Sequence, residues 1–202
     1  MIQRLAYAVN IVGAKLFLKG SLVDGGIHIS FGKIRKIGKN VNLPKADKKI
    51  DAGGLIALPG LIDVHVHLRD MNFSYKEDFY TGTCASAAGG FTTVLDMPNT
   101  DPPTNSAERL KRKMEEAERK ALVNVGFHAL PPEDPSEIVK IVKLGARSFK
   151  IYPDALEGLM ERGILTKIFE RCASLKALLT VHGEDGEKIK EIEERLMKQG
   201  RL

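Results

Sequence analysis

His65-Val66-His67 is the sharpest chemical feature of the sequence. On an extended strand, residues two apart point to the same side. Two neutral imidazoles then face one volume and can ligate a single divalent metal. The other reading of such a pair is two hydrogen-bonded core histidines. Arg69 follows at the same period and faces the same volume if the strand continues; its planar fork suits a carboxylate, so a guanidinium beside a metal suggests an anionic substrate. Lys150, between Phe149 and Ile151, sits where a bare charge is costly. Either its stem packs while its amine reaches solvent, or the amine has reacted with carbon dioxide. The resulting carbamate is an anionic oxygen ligand that can bridge two metals, and forming it needs a lysine pKa lowered by desolvation and nearby cations. His182 ends an apolar run before Gly183-Glu184-Asp185 and is a fourth ligand candidate. His128 ends another such run and reads as a structural or supporting group, while His28 is expected at the surface.

The elements that must position these residues follow from periodicity and turn signals. Residues 1–58 read as part of a small β domain: a strand over Ile11–Leu18, a turn at Gly25-Gly26, a hairpin of Ile27–Phe31 with Ile34–Ile37, and a strand near Ile50–Leu58. At Pro59-Gly60 the pattern changes to short apolar strands alternating with amphipathic helices. Strands are expected over Leu61–His67, Phe91–Asp96, Leu122–His128, Ala146–Ile151 and Ala177–His182. Helices are expected over Tyr75–Gly89, Asn105–Ala121 (capped by Asn105 or Ser106), Pro135–Leu144, Glu157–Ser174 and Asp185–Lys198. Repeated strand–helix units imply a parallel sheet, open or closed as a barrel. His65, His67, Asp96, Lys150 and His182 then fall at or near the C-terminal ends of strands, the face on which barrel active sites assemble.

Composition narrows the function classes. The chain has 202 residues, 43% hydrophobic and 28% charged, with net charge +5, which is a globular composition. Its basic residues are dispersed and interleaved with acidic ones, as on solvated helix faces, and there is no tryptophan for a stacking platform; we expect no nucleic-acid partner. No apolar run approaches the ~18 residues of a bilayer span, and the start lacks an export signal, so no membrane partner is expected. Cys84 and Cys172 read as reduced thiols of a cytoplasmic protein.

Pro59-Gly60-Leu61-Ile62-Asp63-Val64-His65-Val66-His67-Leu68-Arg69-Asp70 resembles the opening barrel strand of the cyclic amidohydrolases. Lys76-Glu77-Asp78-Phe79, Gly89-Gly90-Phe91-Thr92-Thr93 and Asp96-Met97-Pro98-Asn99-Thr100 narrow the resemblance to dihydroorotases. Gly145-Ala146-Arg147-Ser148-Phe149-Lys150 resembles the carboxylated-lysine strand, and Val181-His182-Gly183-Glu184-Asp185 the third-histidine strand. The resemblance covers essentially the whole chain. It implies a metal-dependent hydrolase TIM-type (β/α) barrel, preceded by part of a small β-sandwich in residues 1–58. Residues 59–202 would be the N-terminal part of the barrel, with about five βα units where a complete barrel has eight strands.

The same resemblance implies two zinc ions: His65 and His67 on the more buried one, carboxylated Lys150 bridging, and His182 on the second. Arg69 and Asn99 would hold the substrate carboxylate. The implied activity is that of a dihydroorotase, the reversible cyclisation of N-carbamoyl-L-aspartate to L-dihydroorotate with loss of water in pyrimidine biosynthesis. A further histidine and the aspartate that acts as acid/base are expected beyond Leu202. The 202-residue chain is therefore expected to be incomplete as an enzyme, and a complementing chain or a second copy would be the partner. Two other readings stay open: another cyclic amidohydrolase (an allantoinase, or a hydantoinase or dihydropyrimidinase), and a non-catalytic partner subunit that retains metal ligands.

Overall fold

The computed structural model describes residues 7–152 and 163–201, and the chain divides into two compact units at Pro59/Gly60. The first unit is one sheet, in the order β3-β2-β1-β4, with β5 also paired to β1. Its strands are β1 (Val9–Leu18), β2 (Ser21–Ser30), β3 (Lys33–Gly38), β4 (Lys48–Asp51) and β5 (Ile56–Ala57). β1 and β2 form an antiparallel hairpin whose turn is Lys19-Gly20, both at positive φ, as a tight two-residue hairpin requires.

The expected turn at Gly25-Gly26 is not there; both glycines lie inside β2. Their role is close approach, since a Cβ on Gly26 would stand 2.6 Å from Ile11 O and from Asn40 Oδ1. His28 is also corrected. It is buried, with its Nδ1 2.7 Å from Asn10 Oδ1, because β2 is an inner strand of the sheet. Ala14, Leu16 and Ala52 are the buried apolar residues of this unit.

The second unit alternates strands and helices as the periodicity requires. β6 (Leu61–Val66), β7 (Phe91–Asp96) and β8 (Asn124–Phe127) form one parallel sheet in sequential order, and β9 (Ser148–Ile151) pairs with β10 (Leu178–Val181) in another. A parallel bridge between Ala129 and Phe149 joins β8 to β9 at one point. Ala129 N donates to Ser148 O, and Lys150 N donates to Ala129 O. Among the described residues the helices are α1 (Phe79–Ala88), α2 (Ala107–Lys120), α3 (Glu137–Lys143), α4 (Leu165–Ser174) and α5 (Gly186–Lys198).

Helix starts are set by their caps. α1 begins four residues later than the sequence suggests, because Asp78 accepts from Thr81 N and Thr81 Oγ1 reaches back to Asp78 N, a reciprocal capping box. Met71–Phe73 upstream is instead a 3-10 turn. Ser106 caps α2. The portion 157–162 of the helix expected over Glu157–Ser174 lies outside the described residues.

Leu110, Ala129, Ile138, Ile141, Phe149 and Ile168 pack as one core cluster. Leu68, Phe79, Val94 and Ala117 pack as another. By contrast Ile62 and Val64 on β6 are exposed, as are Leu178 and Val181 on β10 and Ile189, Ile192 and Met197 on α5. No helix among the described residues is long and apolar enough to cross a membrane.

Candidate metal and substrate site

The strand ends of the second unit carry the candidate residues. β6 ends at Val66, with the imidazoles of His65 and His67 either side of it and their ring centroids 5.4 Å apart. With metal–nitrogen bonds of about 2.1 Å, two rings at this spacing can reach one ion. His67 Nδ1 lies 2.9 Å from Asn99 Oδ1. A carboxamide oxygen only accepts, so Nδ1 carries the hydrogen and Nε2 keeps its lone pair. Burial lowers the His67 pKa, and the Arg69 and His65 charges add to this while the Asn99 bond opposes it. The shift favours the neutral ring, the form a ligand needs.

The strand does not continue to Arg69 as the alternation supposed. Leu68 is buried in the core, and Arg69 adopts φ 60 in the left-handed region. The Arg69 charge still bears on both His67 and Tyr152.

Lys150 is 5% exposed. Its Nζ stands over the Tyr152 ring, 5.6 Å from the centroid, and no carboxylate among the described residues pairs with it. The amine therefore does not follow its stem out to solvent. The Tyr152 ring also lies 6.2 Å from that of His182, and burial raises its phenol pKa. Tyr152 was not singled out from the sequence, although its position two residues beyond Lys150, at strand period, was a usable signal.

His182 is exposed, with Nε2 2.8 Å from Glu184 Oε2. Among the described residues, no three His, Cys, Asp or Glu side chains converge closely enough to hold a metal ion by themselves. The residues present thus fit one ion through the His65–His67 pair. The fit of Lys150 is chemical: it is a buried amine with no counter-charge among the described residues.

His128 is a brace. Its Nε2 lies 2.9 Å from Val64 O and its Nδ1 2.8 Å from Ser148 Oγ, so one ring ties β6 to β9 across the end of β8. Asp96, at the end of β7, is 1% exposed. Its Oδ1 accepts from Leu68 N at 2.7 Å, and the Lys113 ammonium stands 2.6 Å from its Oδ2. Lys113 was also missed. The signal was its register: Leu110, Lys113 and Ala117 share the buried face of α2, so a lysine occupies an apolar helical position.

Residues 54–192 match the family model described as dihydro-orotase-like. The dihydroorotase of Methanosarcina mazei is 36% identical over 193 residues, covering 93% of this chain and 42% of the relative. That of Pyrococcus abyssi is 40% identical over 185 residues, covering 90% and 42%. Among solved structures, the L-hydantoinase (dihydropyrimidinase) of Arthrobacter aurescens superposes with a TM-score of 0.82 at 26% identity, covering 96% of this chain and 44% of that one. The chain thus spans well under half the length of these relatives. A family match over most of the sequence and this shared α/β architecture lead to one conclusion: the chain belongs to the dihydro-orotase-like family of cyclic amidohydrolases.

Proposed function

We propose that this chain is the N-terminal portion of a dihydroorotase, its five parallel strands forming a segment of a (β/α) barrel. The observation that carries the substrate class is Arg69, two residues after His67 at a turn with φ 60, whose charge bears on His67. A guanidinium near two imidazoles that would ligate a metal suits a carboxylate-bearing substrate such as N-carbamoyl-L-aspartate or dihydroorotate. Asn99 supports this, because its oxygen is engaged by His67 and its NH2 group remains to donate to an anion.

His65 and His67 would hold the first metal, with carboxylated Lys150 and His182 serving a second. Zinc suits the imidazole–carbamate set. Such a metal would polarise the scissile carbonyl and activate water. This chain's residues bind and orient: Arg69 and Asn99 fix the carboxylate, and Asn99 sets the His67 tautomer.

The test is to assay the chain, alone and mixed with the remaining portion of the Methanosarcina mazei relative. N-carbamoyl-L-aspartate, allantoin and dihydrouracil are offered in parallel. Ring closure of N-carbamoyl-L-aspartate by the completed protein is expected, with loss of at least an order of magnitude in Arg69→Met. Preference for allantoin or dihydrouracil would overturn the reading in favour of an allantoinase or hydantoinase.

A second reading is favoured by the apolar side chains that β6, β10 and α5 leave exposed. In it the chain is a non-catalytic subunit that retains ligands and associates with another chain. Turnover only with a separately folded catalytic partner, unaffected by Arg69→Met, would support that reading instead.

A further inference from the structure

We propose that the buried Lys113–Asp96 ion pair is a positioning device for the two-histidine site, clamping the loops after β6 and β7 so that His67 stays in its Nδ1–H form on Asn99. Its functional meaning rests on the proposed ligand role of His65 and His67; its geometry does not.

Lys113 projects from the middle of α2 and is 1% exposed. Its Nζ donates to Met97 O at 2.9 Å and stands 2.6 Å from Asp96 Oδ2. The second contact is an ionic one rather than an aligned hydrogen bond. The other Asp96 oxygen accepts from Leu68 N at 2.7 Å. Leu68 lies between His67 and Arg69. Met97 N donates to Val66 O at 2.9 Å, and Asn99 is two residues beyond Met97. One ammonium therefore holds both chain segments that present the donor and the acceptor of the His67–Asn99 bond.

Packing alone does not call for this arrangement. The Lys113 stem could be replaced by an apolar side chain of similar volume, and exchanging a buried ion pair for apolar residues is often neutral or stabilising. Burial pushes the Lys113 pKa down, and the Asp96 carboxylate opposes that shift. What the pair provides is geometry: two fixed loop ends and one imidazole tautomer. Partners of this kind orient a ligand histidine and raise its affinity for metal.

The experiment uses the chain with 15N-labelled histidine. Two-bond proton–nitrogen spectra at a pH where the ring is neutral report the His67 tautomer, and cobalt titration followed by visible absorption reports affinity. The double variant Lys113→Met/Asp96→Leu removes both charges together, so no buried charge is left unpaired. The parent is expected to show the pure Nδ1–H form. The folded double variant should show a tautomer mixture and cobalt binding weaker by about ten- to a hundredfold. A folded variant with the parental tautomer and affinity overturns the proposal. Lys113→Gln keeps a donor for Met97 O but loses the ionic contact. It decides the matter if the double variant does not fold: a mixed tautomer supports the clamp, and the parental tautomer overturns it. If the parent binds no cobalt, the ligand reading fails while the tautomer spectra still decide the clamp.

Discussion

At the scale of single residues, the neutrality of two imidazoles makes the molecule acid-sensitive. Burial lowers the pKa of His128, only partly opposed by the Val64 carbonyl, and burial likewise lowers that of His67. Each group binds its proton less readily in the fold than in the open chain. The stabilisation is therefore complete above the ordinary histidine value of about 6.5 and is lost as pH falls from there through the lower folded-state values. Urea midpoints measured from pH 8 to pH 5 should drop, and His128→Gln should flatten the drop. The histidine pair itself was legible in the sequence because strand period alone places two side chains together. Lys113 was not, because the partner that makes a buried lysine tolerable lies on β7, 17 residues upstream, and no local pattern records that meeting.

At the scale of elements, strand and helix order was readable among the described residues of the second unit, because apolar runs and amphipathic periods alternate cleanly there. Boundaries were less readable than order. Ser106 was one of two expected caps of α2 and is the one that forms, whereas the equally local capping box of Asp78 and Thr81 starts α1 later than its periodicity suggested. Asp78→Ala should destabilise the unit by about 1 kcal/mol, measured by urea unfolding. Asp78→Asn, which keeps an acceptor, should cost much less. The glycine pair of β2 was misread because glycine marks both turns and crowded backbones, and only tertiary contact with Ile11 and Asn40 tells the two apart. Arg69 carries the same lesson in reverse: strand alternation pointed to the right neighbourhood, but the route there is a left-handed turn.

At the scale of the whole molecule, the second unit leaves apolar side chains of β6, β10 and α5 in solvent. Among the described residues β6 pairs on one side only, and an exposed strand edge with apolar neighbours is a template for association. Sedimentation of the purified 202-residue chain should show concentration-dependent self-association, reduced in Val64→Lys. The join between the two parallel sheets has a different consequence. Its backbone links are the Ala129–Phe149 bridge and the two amide bonds around it, joined by the His128 ring. On the helix side, the core cluster of Leu110, Ile138, Ile141, Phe149 and Ile168 spans the same join. Amide hydrogens of Ala129 and Lys150 should exchange with deuterium together, sooner than those inside β7. Each opening of these links would also free the Lys150 backbone amide, tying the strand that carries the buried lysine to the slow breathing of the sheet.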